Sequence, residues 1–191
     1  ESDERLNDIE NTLKNKFSLK IVGVMEKEKL ETDILGLDLN YNYNTGVITL
    51  GMNSYISRLK DQYPHILNDD INKMELPHTS TYEIDPKADE LMMDKSEFKM
   101  KVHYLQELIG KLNYIRSRGR IDIDFAVGKV SRLVLYPHDK VIKAAEKILK
   151  YVYSTRNVAI TFQREDTQGK YIITAVCDAS LATEYDLMRH I

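Results

Sequence analysis

Eight cations and a few carboxylates are the residues of this chain whose types and spacing could do chemistry. Lys140, Lys143, Lys147 and Lys150 recur every three or four positions, so a helix would carry them along one side as a basic ridge. Lys111, Arg116, Arg118 and Arg120 make a second basic group. A cation placed near a phosphate adds a sequence-independent electrostatic attraction through counterion release. The plainer alternative for the ridge is a solvated helix face, and for the arginines ordinary salt bridges to Asp122 and Asp124. Among the carboxylates, Asp178 ends the apolar run YIITAVC, which would present it at a sheet edge. Asp69-Asp70 is the only adjacent aspartate pair, and it lies in a polar connector where a solvated loop pair is expected.

Other candidates are weaker. His65, His78, His103, His138 and His190 have no metal-ligand spacing. Gly23, Gly36, Gly46 and Gly51 form no phosphate loop. Tyr151 and Tyr153 could stack on bases, but packing is the better reading.

The elements that must position these residues follow from periodicity. Leu6, Ile9, Leu13 and Phe17 predict an opening helix. Ser18 to Val24, Thr32 to Tyr43 and Val47 to Leu50 read as strands, the last two joined at Asn44-Thr45-Gly46. Met52 to Tyr63 reads as a short helix stopped by Pro64. A polar connector spans residues 65–95. Three helices come next. Phe98, Val102, Leu105, Ile109 and Leu112 share one face of the first. The second, roughly Ile121 to Leu135, is apolar on most sides and should be covered from several directions. Pro137 opens the third, whose stripe is Val141, Ala145, Ile148 and Val152. Asn157 to Phe162 and Tyr171 to Cys177 read as a final hairpin.

Composition bounds the function. The chain has 191 residues, is 42% hydrophobic and carries a net charge of −3. That charge argues against wholesale polyanion binding and requires any nucleic-acid contact to be local. No apolar run is long enough to span a bilayer, so no membrane partner is expected. A single cysteine, Cys177, excludes an internal disulfide and favours an intracellular chain. Glu1 is no initiator methionine and the opening residues already belong to a helix, so a fragment is expected.

Several strings, in their order and spacing, resemble a known family. They are ILGLDL at Ile34 to Leu39, LIGKLNYIRSRGRIDIDFAV at Leu108 to Val127, YPHDKVIKAAEKILKYV at Tyr136 to Val152 and VCDAS at Val176 to Ser180. Together they resemble the Pol polyprotein of copia-type retrotransposons, from the end of reverse transcriptase into ribonuclease H. LPHTSTYEIDP and DASLATEYD bring the yeast Ty-like branch closest.

The resemblance implies an α+β fold in three parts. Residues 1–51 would end the polymerase palm as a helix with antiparallel strands. Residues 52–156 would form a thumb/connection-like helical bundle, and residues 157–191 would open an incomplete ribonuclease H-like domain. The family is an RNA-directed DNA polymerase with ribonuclease H activity, and its parent enzyme uses Mg2+. This chain has no tyrosine-x-aspartate-aspartate string for the polymerase metals. Asp178 matches the first ribonuclease H carboxylate, and Glu184 and Asp186 do not match the later ones. The fragment alone is therefore expected to bind no magnesium and to be non-catalytic. Its expected partners are an RNA–DNA or DNA template–primer duplex, held by the two basic groups, and the rest of Pol. The expected location is cytoplasmic, within a virus-like particle in the parent family, with a nuclear one as the alternative. A decayed or co-opted remnant serving as a non-catalytic binding module is the second reading, and a plain helical scaffold the third.

Overall fold

The computed structural model describes residues 2–18, 29–67 and 94–163. Most of the strand expected at Ser18 to Val24, most of the connector with Asp69-Asp70, the strand at Tyr171 to Cys177, and Asp178 lie outside the described residues.

The described residues form a four-stranded antiparallel sheet and five α-helices. Helix α1 spans Ser2–Lys16. Its predicted stripe is present but solvent-facing: Leu6, Ile9, Leu13 and Phe17 are all exposed. Strands β1 (Lys29–Ile34), β2 (Leu37–Asn42), β3 (Val47–Gly51) and β4 (Ile160–Phe162) lie in the order β1-β2-β3-β4.

Two sheet features correct the sequence reading. The segment expected as one strand from Thr32 to Tyr43 is a hairpin, with Ile34 paired to Leu37 across a two-residue turn at Leu35-Gly36. Both turn residues have positive φ, 54° and 74°, the backbone that a tight hairpin turn requires. The Asp33 carboxylate accepts the Gly36 amide at 2.9 Å and closes the turn. The second feature is β4. Its residues were expected to open the ribonuclease H-like unit, yet among the described residues they pair with β3, Ile48 with Phe162 and Leu50 with Ile160. The sheet therefore crosses the expected boundary between residues 156 and 157.

The turn at Asn44-Thr45-Gly46 forms as expected, with the Asn42 side chain accepting the Thr45 amide at 3.1 Å. After Gly51 the chain enters α2 (Asn53–Gln62), docked by an Asp38 carboxylate that accepts the Ser54 amide at 2.9 Å. Helix α3 (Lys95–Ser117) is capped by Asp94, and α4 (Asp124–Ser131) follows a single 3-10 turn at Ile121–Ile123. Helix α5 (Asp139–Ser154) begins after Pro137, with the His138 ring accepting the Lys140 amide at 3.0 Å.

One apolar core joins α2, α3, α4 and α5. Ile56, Leu59, Leu105, Leu108, Leu112, Val127, Val141, Ala145, Ile148 and Val152 are all at most 1% exposed. Burial of these side chains, at about 25 cal/mol per Å² of apolar surface, is the main force holding the helices together. Helix α4 is covered less completely than its composition predicted. Phe125 is 69% exposed, because eight helical residues offer one packed face, used by Ala126, Val127 and Val130, and Ile121 in the preceding 3-10 turn is 76% exposed.

Candidate nucleic-acid interface

Helix α5 builds the basic ridge from its own periodicity. At 3.6 residues per turn, the fully buried stripe of Val141, Ala145, Ile148 and Val152 forces Lys140, Lys143, Lys147 and Lys150 to the opposite side. Lys140, Lys143 and Lys147 are exposed and Lys150 is partly so. Among the described residues, no carboxylate pairs with any of the four. The ridge runs along about 15 Å of helix, from the rise of 1.5 Å per residue. Glu146, which could have neutralised it, instead accepts the Tyr104 hydroxyl at 3.0 Å and ties α5 to α3. Burial and the nearby Glu146 together hold the Tyr104 phenol protonated, with its pKa well above the usual value.

The second basic group does not present itself in the same way. Arg120 is 2% exposed and points inward. Its guanidinium makes a two-pronged contact with Asp122, at 2.9 and 2.8 Å, and also reaches the Thr155 hydroxyl at 2.7 Å and the Thr155 carbonyl at 3.1 Å. It packs over the Tyr151 ring, whose hydroxyl donates to Asp122 at 3.0 Å. Arg120 is thus corrected from a candidate phosphate ligand to an internal clasp between the α3–α4 joint and the end of α5. Burial alone would raise the Asp122 pKa, but the bonds from Arg120 and Tyr151 outweigh it and hold the carboxyl below its ordinary value.

The remaining three cations are partly spent. Arg116 donates to Asp124 at 3.0 Å. Lys111 pairs with Glu107, donates to the Tyr63 hydroxyl at 3.1 Å and sits 5.0 Å from that ring's centroid. Burial disfavours charge on Lys111, yet its bonds to Glu107 and Tyr63 prevail and raise its pKa above the usual lysine value. Arg118, half-buried, lies 5.2 Å from the centroid of the Tyr114 ring. Tyr151 and Tyr153 are buried at 8% and 6% exposure, so they pack rather than stack on a ligand.

One residue that sequence reading passed over is Gly110. It is exposed in the middle of the 23-residue α3, and a Cβ built there meets nothing within 4 Å. Glycine in a helix interior is unfavourable relative to alanine, and no neighbour here demands it. A glycine in the apolar pattern of an amphipathic helix was the available signal.

Among the described residues, no group of three or more His, Cys, Asp or Glu side chains could hold a metal ion, and Asp178 lies outside them. A cleft of about 470 Å³ on the sheet is bordered by Glu31, Asp33, Asp38 and Arg156. Two of its carboxylates are already engaged, Asp33 by the Gly36 amide and Asp38 by the Ser54 amide. No helix among the described residues is long and apolar enough to cross a membrane.

The curated proteins that this chain is similar to include the Transposon Ty1-DR1 Gag-Pol polyprotein and the Transposon Ty1-NL2 Gag-Pol polyprotein of Saccharomyces cerevisiae. Each is 27% identical over 175 residues, which cover 91% of this chain and 10% of the relative. The similarity is thus to Ty1 retrotransposon Gag-Pol polyproteins. It runs through the sheet and the bundle alike, and this chain spans about a tenth of the length of the Gag-Pol relatives. No protein-family model matches the chain. No solved structure matches it either.

Proposed function

We propose that this chain is the part of a retrotransposon Pol polyprotein that grips the template–primer duplex and links the reverse transcriptase to the ribonuclease H, without catalysis of its own. The observation that carries the proposal is the α5 ridge: four lysines on one helix side, unpaired among the described residues, backed by a stripe of zero exposure. A rigid row of cations in a chain of net charge −3 is a local phosphate-binding surface rather than a general polyanion sink. Gly110 adds support, since an exposed helix glycine with open space above it lets a ligand backbone come close. Lys111, Arg116 and Arg118 serve as secondary contacts that must first loosen from their present partners.

In the parent enzyme, Asp178 would be the first ribonuclease H carboxylate and would help hold Mg2+. A single carboxylate cannot assemble that site.

The test is binding of a short RNA–DNA hybrid by fluorescence anisotropy across a salt series. Wild-type protein is expected to show a log–log slope near −3 to −4, about −0.9 per phosphate contacted. The variant carrying Lys143→Glu, Lys147→Glu and Lys150→Glu is expected to lose most of that slope and at least about tenfold in affinity. Equal affinity of the two proteins would remove the proposal. Nucleotide incorporation by the purified chain would refute its non-catalytic half.

A further inference from the structure

The tip of the β1–β2 hairpin combines strain with exposure. Leu35 adopts a φ of 54°, a left-handed backbone that costs a branched side chain more than it costs glycine. The Leu35 side chain is 70% exposed, so packing among the described residues does not hold that conformation. What reaches the turn from elsewhere is Tyr114 on α3. Its hydroxyl donates to the Leu35 carbonyl across a separation of 79 residues.

The approach depends on the residue next door. A Cβ at Gly36 would stand 3.0 Å from the Tyr114 hydroxyl oxygen, and Gly36 itself has a φ of 74°. The ring is also held on two sides, with its centroid 5.0 Å from that of Tyr55 on α2 and 5.2 Å from the Arg118 guanidinium carbon. The bond is solvent-exposed, so water would take its place at the Leu35 carbonyl if the hydroxyl were removed. It is therefore poorly explained as relief of a buried polar group, and better explained by what it fixes in space.

We propose that Tyr114 is a positioning residue whose hydroxyl locks the Leu35-Gly36 turn to α3, so that the hairpin tip and the helical bundle engage a duplex as one body. The proposal deepens the duplex-binding reading and rests on it, because it names how the sheet is coupled to the helices that carry the lysines.

The test uses the full 191-residue chain and two variants, Tyr114→Phe, which removes only the hydroxyl, and Gly36→Ala, which crowds it. Amide hydrogen exchange over residues 29–42 is expected to quicken about fivefold in Tyr114→Phe, the effect of one net hydrogen bond. Exchange in α5 should quicken no more than in the hairpin, and the melting temperature should fall by no more than about 2–4 °C. Dissociation from the RNA–DNA hybrid, followed by stopped flow, should quicken by a similar factor in both variants. Unchanged hairpin exchange in Tyr114→Phe would overturn the lock. Faster exchange with unchanged dissociation would overturn the positioning role while leaving duplex binding intact. Failure of wild-type protein to bind the hybrid would instead sink the duplex reading and the positioning role with it, and hairpin exchange would still decide whether the lock exists.

Discussion

Arg116 and Arg120 lie four positions apart in the same basic run, yet the fold gives them opposite environments. Arg116 meets Asp124 at the surface, where that carboxylate is 69% exposed, and such pairs contribute at most about 1 kcal/mol. Arg120 is enclosed with Asp122 and Thr155, where removing one partner of a buried pair costs about 3–5 kcal/mol. Asp122→Ala should accordingly lower the urea midpoint severely, and Asp124→Ala should scarcely move it. Midpoints that shift equally would show the clasp to be no stronger than a surface pair. Gly110→Ala separates stability from binding at a single residue. It should stabilise the chain by about 0.5–1 kcal/mol in urea while weakening hybrid binding. Better binding would discount a close approach at that helix face. The sequence put Arg120 among the surface cations because Thr155, which helps Asp122 enclose it, lies 35 positions away and carries no signal of its own. The local Arg–Asp pairing, by contrast, was already an open alternative from spacing alone.

Among the elements, α5 was the most legible. Pro137 marked its beginning, and the 3.6-residue period separated the lysines from the stripe without any help from tertiary contacts. Its two sides should therefore respond differently to truncation. Ile148→Ala, at 0% exposure, is expected to cost about 2–5 kcal/mol, whereas Lys143→Ala should fall within about 0.5 kcal/mol of wild type. Chemical denaturation of both variants checks this. A destabilising Lys143→Ala would mean that the ridge is structural. The β1–β2 hairpin was the least legible element. A glycine inside an apolar run reads as a strand interruption only when the preceding residue tolerates positive φ, and leucine does not advertise that. Helix α1 was legible as a helix. What its exposed stripe meets was not, because an apolar period records that a face must be covered and not by what.

For the whole molecule, pH acts through the clasp at the bundle's end. Asp122 has a folded pKa below its ordinary value, so its contribution is present above about pH 4 and is lost as pH falls through the depressed value. Wild-type stability should drop on acidification below about pH 4. Asp122→Asn should start lower at neutral pH and show a shallower acid slope. Parallel slopes in urea titrations at successive pH values would assign the acid sensitivity to other carboxylates.

The β3–β4 pairing sets the order in which this fold can be made. Ile48 and Phe162 are neighbours in the sheet but more than a hundred positions apart along the chain. Closing that loop early would carry a large entropic cost, so the pairing waits until the helices between have collapsed and brought the ends together. During synthesis, β3 leaves the ribosome with one edge bare, and that edge stays a template for wrong strands until residues 160–162 emerge. Variants that slow helix folding are therefore expected to aggregate through β3 first.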